Sequence, residues 1–167
     1  MKKLLCLLLG FSILCFLFGC SSNAPQVPAE FFYRQNGLPY DTQRSVIGSE
    51  IRETIDHPGY LRTLNLYLQG PASNDFSPTF PEDSKIITLS QSPGAITLVL
   101  SDAFASLTGI ELSIACTCLT KTVIQLTGCT VVTIQAESLP LDGKSSITLN
   151  ESSAMLNDNY YGQIESE

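Results

Sequence analysis

Residues 107–135, LTGIELSIACTCLTKTVIQLTGCTVVTIQ, carry the best-marked local pattern in the chain. Thr108-Gly109-Ile110-Glu111 has the spacing of a capping box, in which the Thr108 hydroxyl accepts from the Glu111 N–H and the Glu111 carboxylate accepts from the Thr108 N–H. Leu112, Ala115, Cys116, Leu119, Val123 and Leu126 then recur at helical spacing, and Gly128 suits the left-handed residue past a helix end. A helix is therefore predicted over 109–127. The run 129–135, with Val131, Val132 and Ile134, reads as a strand leaving it. Thr117, Thr120, Thr122, Thr127, Thr130 and Thr133 read as polar faces of this helix and strand.

Upstream, the short apolar runs 85–90 and 95–101 flank Ser92-Pro93-Gly94, which predicts a hairpin with Ile96, Leu98 and Leu100 on one face. Before it, Tyr60, Leu61, Leu64 and Leu68 supply a helical stripe ended by Gly70-Pro71. Asp56 or His57 is suited to cap that helix, and Pro58 to its first turn. Residues 72–84 read as a loop. Residues 30–54 predict a first hairpin: Phe31-Phe32-Tyr33 is strand-prone, Asn36-Gly37 and Pro39 are turn formers, and Gly48 marks a bulge. Downstream, Asp142-Gly143 signals a turn before a last short strand around Ile147 and Leu149. Hairpin, helix, hairpin, helix, strand and short strand predict an α+β fold: a two-layer sandwich, a small mixed β-sheet with two helices packed on one face.

The N-terminus reads as an address. Lys2 and Lys3 precede the apolar stretch 4–18, which ends at Gly19-Cys20. That stretch is shorter than the roughly 20 residues a membrane span needs. A small residue before a Cys at the end of such a stretch resembles a bacterial lipobox, with cleavage between Gly19 and Cys20 and lipid (diacylglycerol, palmitate) on the Cys20 thiol. The chain then divides into a lipoprotein signal peptide (1–19), a flexible tether with two Pro (20–29), a folded domain (30–150) and an acidic C-terminal tail (151–167). The 167 residues carry 9 Lys and Arg against 16 Asp and Glu, a formal charge of −7. Loss of Lys2 and Lys3 makes the mature chain more acidic still. No basic surface remains to displace counterions from nucleic acid, and acyl chains, not a basic patch, must hold the domain at the bilayer.

The segment from Tyr60-Leu61 to Leu68-Gln69-Gly70-Pro71, then Phe76-Ser77-Pro78 and Phe80-Pro81-Glu82-Asp83-Ser84-Lys85-Ile86, precedes the 96–101 strand, the 107–126 helix and the 131–134 strand leading to Asp142-Gly143. This order resembles the GerMN domain, also called the sporulation and spore germination domain, over residues 30–150. The resemblance implies a small α/β unit similar to ring-building motifs of envelope-spanning assemblies. It also implies a non-catalytic interaction or assembly role in sporulation or germination, in a lipoprotein displayed on the extracytoplasmic face of the cell membrane.

The residues carry no catalytic constellation of their own. His57 reads as a cap or loop residue, with no nucleophile and orienter marked beside it. Glu82-Asp83 and Asp102 read as solvated loop acids. The Ser-rich stretches lack a nucleophile-elbow setting. Cys116-x-Cys118 with Cys129 suggests a metal site only at first sight, because residues i and i+2 on a helix point about 200° apart; the metal and cofactor expectation is none. Packing is preferred over a Cys116–Cys129 or a Cys118–Cys129 disulfide. The expected partners are the bilayer, through acylated Cys20, and an envelope protein or peptidoglycan, with homo-oligomerisation as a further route and nucleic acid excluded. The alternative is a wall-associated enzyme accessory or a ligand-binding lipoprotein, although about 120 ordered residues make one lobe where solute capture usually uses two.

Overall fold

A computed structural model describes residues 26–36, 46–55 and 59–154. The chain forms β1 (Gln26–Gln35), β2 (Ile47–Ile55), α1 (Tyr60–Leu68), β3 (Phe76–Ser77), β4 (Ile86–Ser92), β5 (Ala95–Leu100), a 3-10 turn (Asp102–Ser106), α2 (Gly109–Thr127), β6 (Val131–Ala136) and β7 (Ile147–Asn150). The class is α+β, and the order is the expected one with β3 and the 3-10 turn added. The strands divide between two sheets, ordered β2-β1-β3 and β4-β5-β6-β7, where the sequence pattern suggested one. Period-two alternation reports that a strand has a buried face but not which sheet it joins.

In the four-stranded sheet, β4 and β5 are antiparallel, with Ser92 opposite Ala95 across Pro93-Gly94. Gly94 has φ 73°, which a side chain would disfavour there. The connection from β5 through α2 to β6 returns parallel, with Ile96 opposite Val132 and Leu98 opposite Ile134. Ile96, Leu98, Leu100, Val132 and Ile134 are all buried, as the alternation predicts. β7 closes the other edge antiparallel to β6. Asp142 and Gly143 both take positive φ between the bridged Leu141 and Lys144, the conformation that a tight hairpin turn requires.

In the three-stranded sheet, β1 pairs β2 over its whole length without a register break. Gly48 is therefore not a bulge. A Cβ there would lie 2.7 Å from Gln35 Nε2 and 2.8 Å from Phe76 Cε1, so the missing side chain makes room for β3 and the end of β1. β1 begins at Gln26, so pairing takes in the last residues of the segment read as a tether; Ala29 is already buried. At the other terminus Ala154 is buried and its N–H bonds Asn150 O, so the turn 151–154 belongs to the fold and not to the tail.

α2 spans the residues expected, and Gly128 (φ 69°) closes it with its N–H on Ile124 O. Its surroundings differ from the expectation. It packs along β1 on one side and against β6 and β7 on another. Every residue from Ile114 to Thr120 is buried, including Thr117 and Thr120, and so is Thr122. These threonines are inside the molecule and are not a polar face. The Thr108 side chain makes no capping hydrogen bond. Glu111 instead accepts both bonds from Arg34 Nη1, at 2.8 and 2.9 Å. A charged partner in β1 outcompetes the local box because the pair is charge-assisted.

α1 buries Thr63, Leu64, Tyr67 and Leu68. Its N-cap is Gly59, which displaces the expected cap at Asp56 or His57; those two residues and Pro58 lie outside the described ones. Tyr60 and Leu61, read as core positions, are about 40% exposed.

Candidate functional site

A groove of about 850 Å³ opens between the C-terminal half of α1 and the loop 78–87. Leu68, Phe80 and Ile86 are its buried apolar components, while Glu82, Asp83 and Lys85 are exposed on it. Helix and loop are locked together by one side chain. Asn65 Oδ1 accepts from Ile86 N (2.8 Å) and its Nδ2 donates to Ile86 O (3.2 Å), so the amide pairs with β4 as a neighbouring strand would. The loop is held from the other side by Ser101 Oγ, which accepts from Lys85 N (3.0 Å) and donates to Asp83 O (3.2 Å). Asp83 sits at φ 66°, uncommon for a residue with a side chain. The Ser84 hydroxyl is buried and has no hydrogen-bond partner among the described residues.

Next to the groove lies the most elaborate polar cluster, and the sequence did not signal it. The Tyr33 hydroxyl shares its proton between Tyr67 O (2.9 Å), in the last turn of α1, and Gly70 O (3.0 Å), just past its end. Arg52 Nη2 donates to the Tyr33 oxygen (2.9 Å) and to Gly70 O (2.7 Å). The Arg52 guanidinium lies 5.3 Å from the centres of both the Phe31 and Tyr33 rings, and it is paired with Glu50. Glu50 accepts in turn from Ala72 N (3.0 Å) and Ser73 N (2.9 Å). Burial alone would raise the Glu50 carboxyl, but the two backbone N–H groups and Arg52 outweigh it and hold it below its ordinary value. Burial pushes the Tyr33 and Tyr67 phenols up and keeps them neutral. Tyr33, Arg52 and Glu50 together clamp the turn that follows α1. Gly70 was visible as a motif residue; its partners in β2 and β1 lie 18 and 37 positions away, beyond any local pattern.

The other residues singled out from the sequence are placed as follows. Gly19, Cys20 and His57 lie outside the described residues. Cys116, Cys118 and Cys129 are buried free thiols, and burial pushes Cys116 and Cys118 up to about 12. Among the described residues no three His, Cys, Asp or Glu side chains converge as a metal centre needs. Asp102 does not act as a free loop acid: its Oδ1 accepts from Ser138 N (2.8 Å) and Leu139 N (3.1 Å) and ties down the segment after β6. Glu82 and Asp83 stay exposed at the groove rim.

No family model matches the chain, and no curated protein does. Solved structures do. The first GerMN domain of the sporulation protein GerM from Bacillus subtilis superposes with a TM-score of 0.54 at 16% identity, covering 71% of this chain and 91% of that one. The tandem GerMN domains of the same protein superpose with a TM-score of 0.52 at 13% identity, covering 77% of this chain and 46% of theirs. The chain has the GerMN fold.

Proposed function

We propose that this GerMN-fold chain is a lipoprotein anchored through Cys20 on the extracytoplasmic face of the cell membrane, and that it serves sporulation or germination as a non-catalytic interaction module. One observation carries the reading. A domain with the fold of a sporulation protein's GerMN unit begins at Gln26, six residues after the lipobox-like Gly19-Cys20. The groove supports a binding role over a catalytic one. Its ionisable groups are exposed side chains, and the Tyr33, Arg52 and Glu50 side chains of the neighbouring cluster are engaged with one another and with backbone groups.

Metabolic labelling with a fatty-acid probe tests the anchor. The chain is expected to take up label and fractionate with membranes, and Cys20→Ala to lose both properties; an unlabelled wild-type chain overturns the reading. The interaction role is tested by cross-linking in intact sporulating cells, where adducts with an envelope protein, peptidoglycan or a second copy are expected and an unadducted monomer contradicts it. Incubation with peptidoglycan separates the enzymatic alternative: turnover abolished by a single carboxylate substitution at Glu82 or Asp83 would favour it.

A further inference from the structure

One end of the domain carries apolar side chains that its own core does not cover. Gln26 is paired with Ile55 at the open end of the β1–β2 hairpin, and α1 starts at Tyr60, five residues further on. α1 then runs alongside β1 away from that end, since Tyr67 stacks on Phe31 and its hydroxyl donates to Phe32 O (2.6 Å). Val27 lies on the same face of β1 as the buried Ala29, Phe31 and Tyr33, yet is 43% exposed. Tyr60 lies two helical turns before Tyr67 on the same stripe, yet is 39% exposed, and Leu61 beside it is 40% exposed. The core-facing stripes of both elements thus run on past the core at this one end.

The opposite end is marked independently. Arg34 reaches Glu111 in the first turn of α2, whereas Phe32 N donates to Thr122 Oγ1 three turns later, so α2 runs counter to β1. Asp142 Oδ2 accepts from Gly109 N and Asp102 from Leu139 N, which places Leu139 at the start of α2, away from Gln26.

We propose that the Val27, Tyr60 and Leu61 end is a docking surface for the lipid headgroup region, so that the domain rests with this end on the bilayer and the Leu139 end turned outward. The inference rests on acylation of Cys20. Six residues from Cys20 to Gln26 reach at most about 20 Å, less than the roughly 28 Å length of the 19-residue α2, so an anchored chain cannot hold the Gln26 end as far from the bilayer as resting on the Leu139 end would require. Tyr and Leu are suited to that depth, the tyrosine with its ring among the acyl ends and its hydroxyl in water. Arg62, exposed in the same turn, offers a guanidinium to lipid phosphate. The exposed Glu53 near this end limits the contact to a shallow one.

The chain contains no Trp, so Tyr60→Trp, Leu61→Trp and Leu139→Trp each introduce a sole indole fluorophore. The full acylated chain, extracted from membranes, is reconstituted in phosphatidylcholine–phosphatidylglycerol vesicles with and without brominated phosphatidylcholine. Circular dichroism confirms the fold and mass spectrometry the acyl group in each sample. The Tyr60→Trp and Leu61→Trp variants are expected to be quenched by brominated lipid at least about two-fold more than the Leu139→Trp variant, with blue-shifted emission. Equal quenching at both ends of an acylated, folded chain overturns the orientation and leaves the proposed function standing. A blue shift without quenching assigns the end to a different occupant and also overturns it. Absence of the acyl group overturns both readings together.

Discussion

Arg52 ties several elements together through one side chain. It joins β2 to the Phe31 and Tyr33 rings, to the Gly70 carbonyl and to Glu50. Arg52→Ala leaves the half-buried Gly70 and Glu50 oxygens short of donors, and is expected to cost about 2 kcal/mol in chemical denaturation, within the range for charge-assisted hydrogen bonds. Tyr33→Phe removes one hydroxyl from the same turn and is expected to cost about 1 kcal/mol. Glu50 sets the acid side of the stability profile. Its folded value is depressed from the ordinary 4.5, so its contribution is present above about pH 4.5 and is lost as pH falls through the folded value. Denaturation midpoints measured from pH 6 downward should fall less steeply in Glu50→Gln than in the wild type. The thiols act at the other limit. Cys116 and Cys118 are raised from 9.0 to about 12, so below pH 9 their burial is unopposed. Between pH 9 and 12 the unfolded chain ionises them and the folded chain does not, so stability declines as pH rises. Cys116→Ser or Cys118→Ala variants should flatten that decline.

At the scale of elements, hydroxyl groups govern how α2 seats against β1. Only residues 34 and 35 of β1 pair with β3, and side chains take up backbone groups of Phe32 and Arg34 along that edge. Thr122 Oγ1 accepts from Phe32 N (3.0 Å), the Tyr67 hydroxyl donates to Phe32 O, and Thr79 Oγ1 accepts from Arg34 N (2.9 Å). At these two residues the strand edge is satisfied without a further strand. Thr122→Val orphans the Phe32 N–H and should destabilise by about 1–2 kcal/mol. Thr120→Val, two residues away and nearly isosteric, should be neutral or stabilising, because the buried Thr120 hydroxyl has no partner to lose. The pair, compared by urea denaturation, separates the two kinds of buried threonine. The ends of α2 make a second contrast. Thr108→Ala should cost under about 0.5 kcal/mol, since no capping bond exists there, whereas Gly128→Ala should cost about 1 kcal/mol because φ is 69°.

At the scale of the whole molecule, the two sheets share one core. Phe31, Tyr33 and Tyr67 form a ring cluster that continues through Phe80 to Phe104, which joins the three-stranded sheet to the connection following β5. α2 is covered from both sides, so neither sheet can detach without exposing it. Thermal unfolding followed by far-ultraviolet circular dichroism and by tyrosine absorbance should give coincident transitions. Two separated midpoints would show that the sheets unfold independently.

The amino-acid order alone determined what depends on near neighbours: the extent of α2, its glycine stop, the Pro93-Gly94 and Asp142-Gly143 turns, and the buried alternation of β5. Each of these is a matter of backbone sterics or of a one-element period, readable within a few residues. The tertiary structure decided the rest. It divided the strands between two sheets, turned Thr117, Thr120 and Thr122 inward, drew Glu111 from the Thr108 cap to Arg34, and joined Tyr33, Arg52 and Glu50 to the Gly70 turn. Those outcomes depend on which groups meet across tens of residues, where a second covering layer or a distant charge outweighs the local preference that the sequence displays.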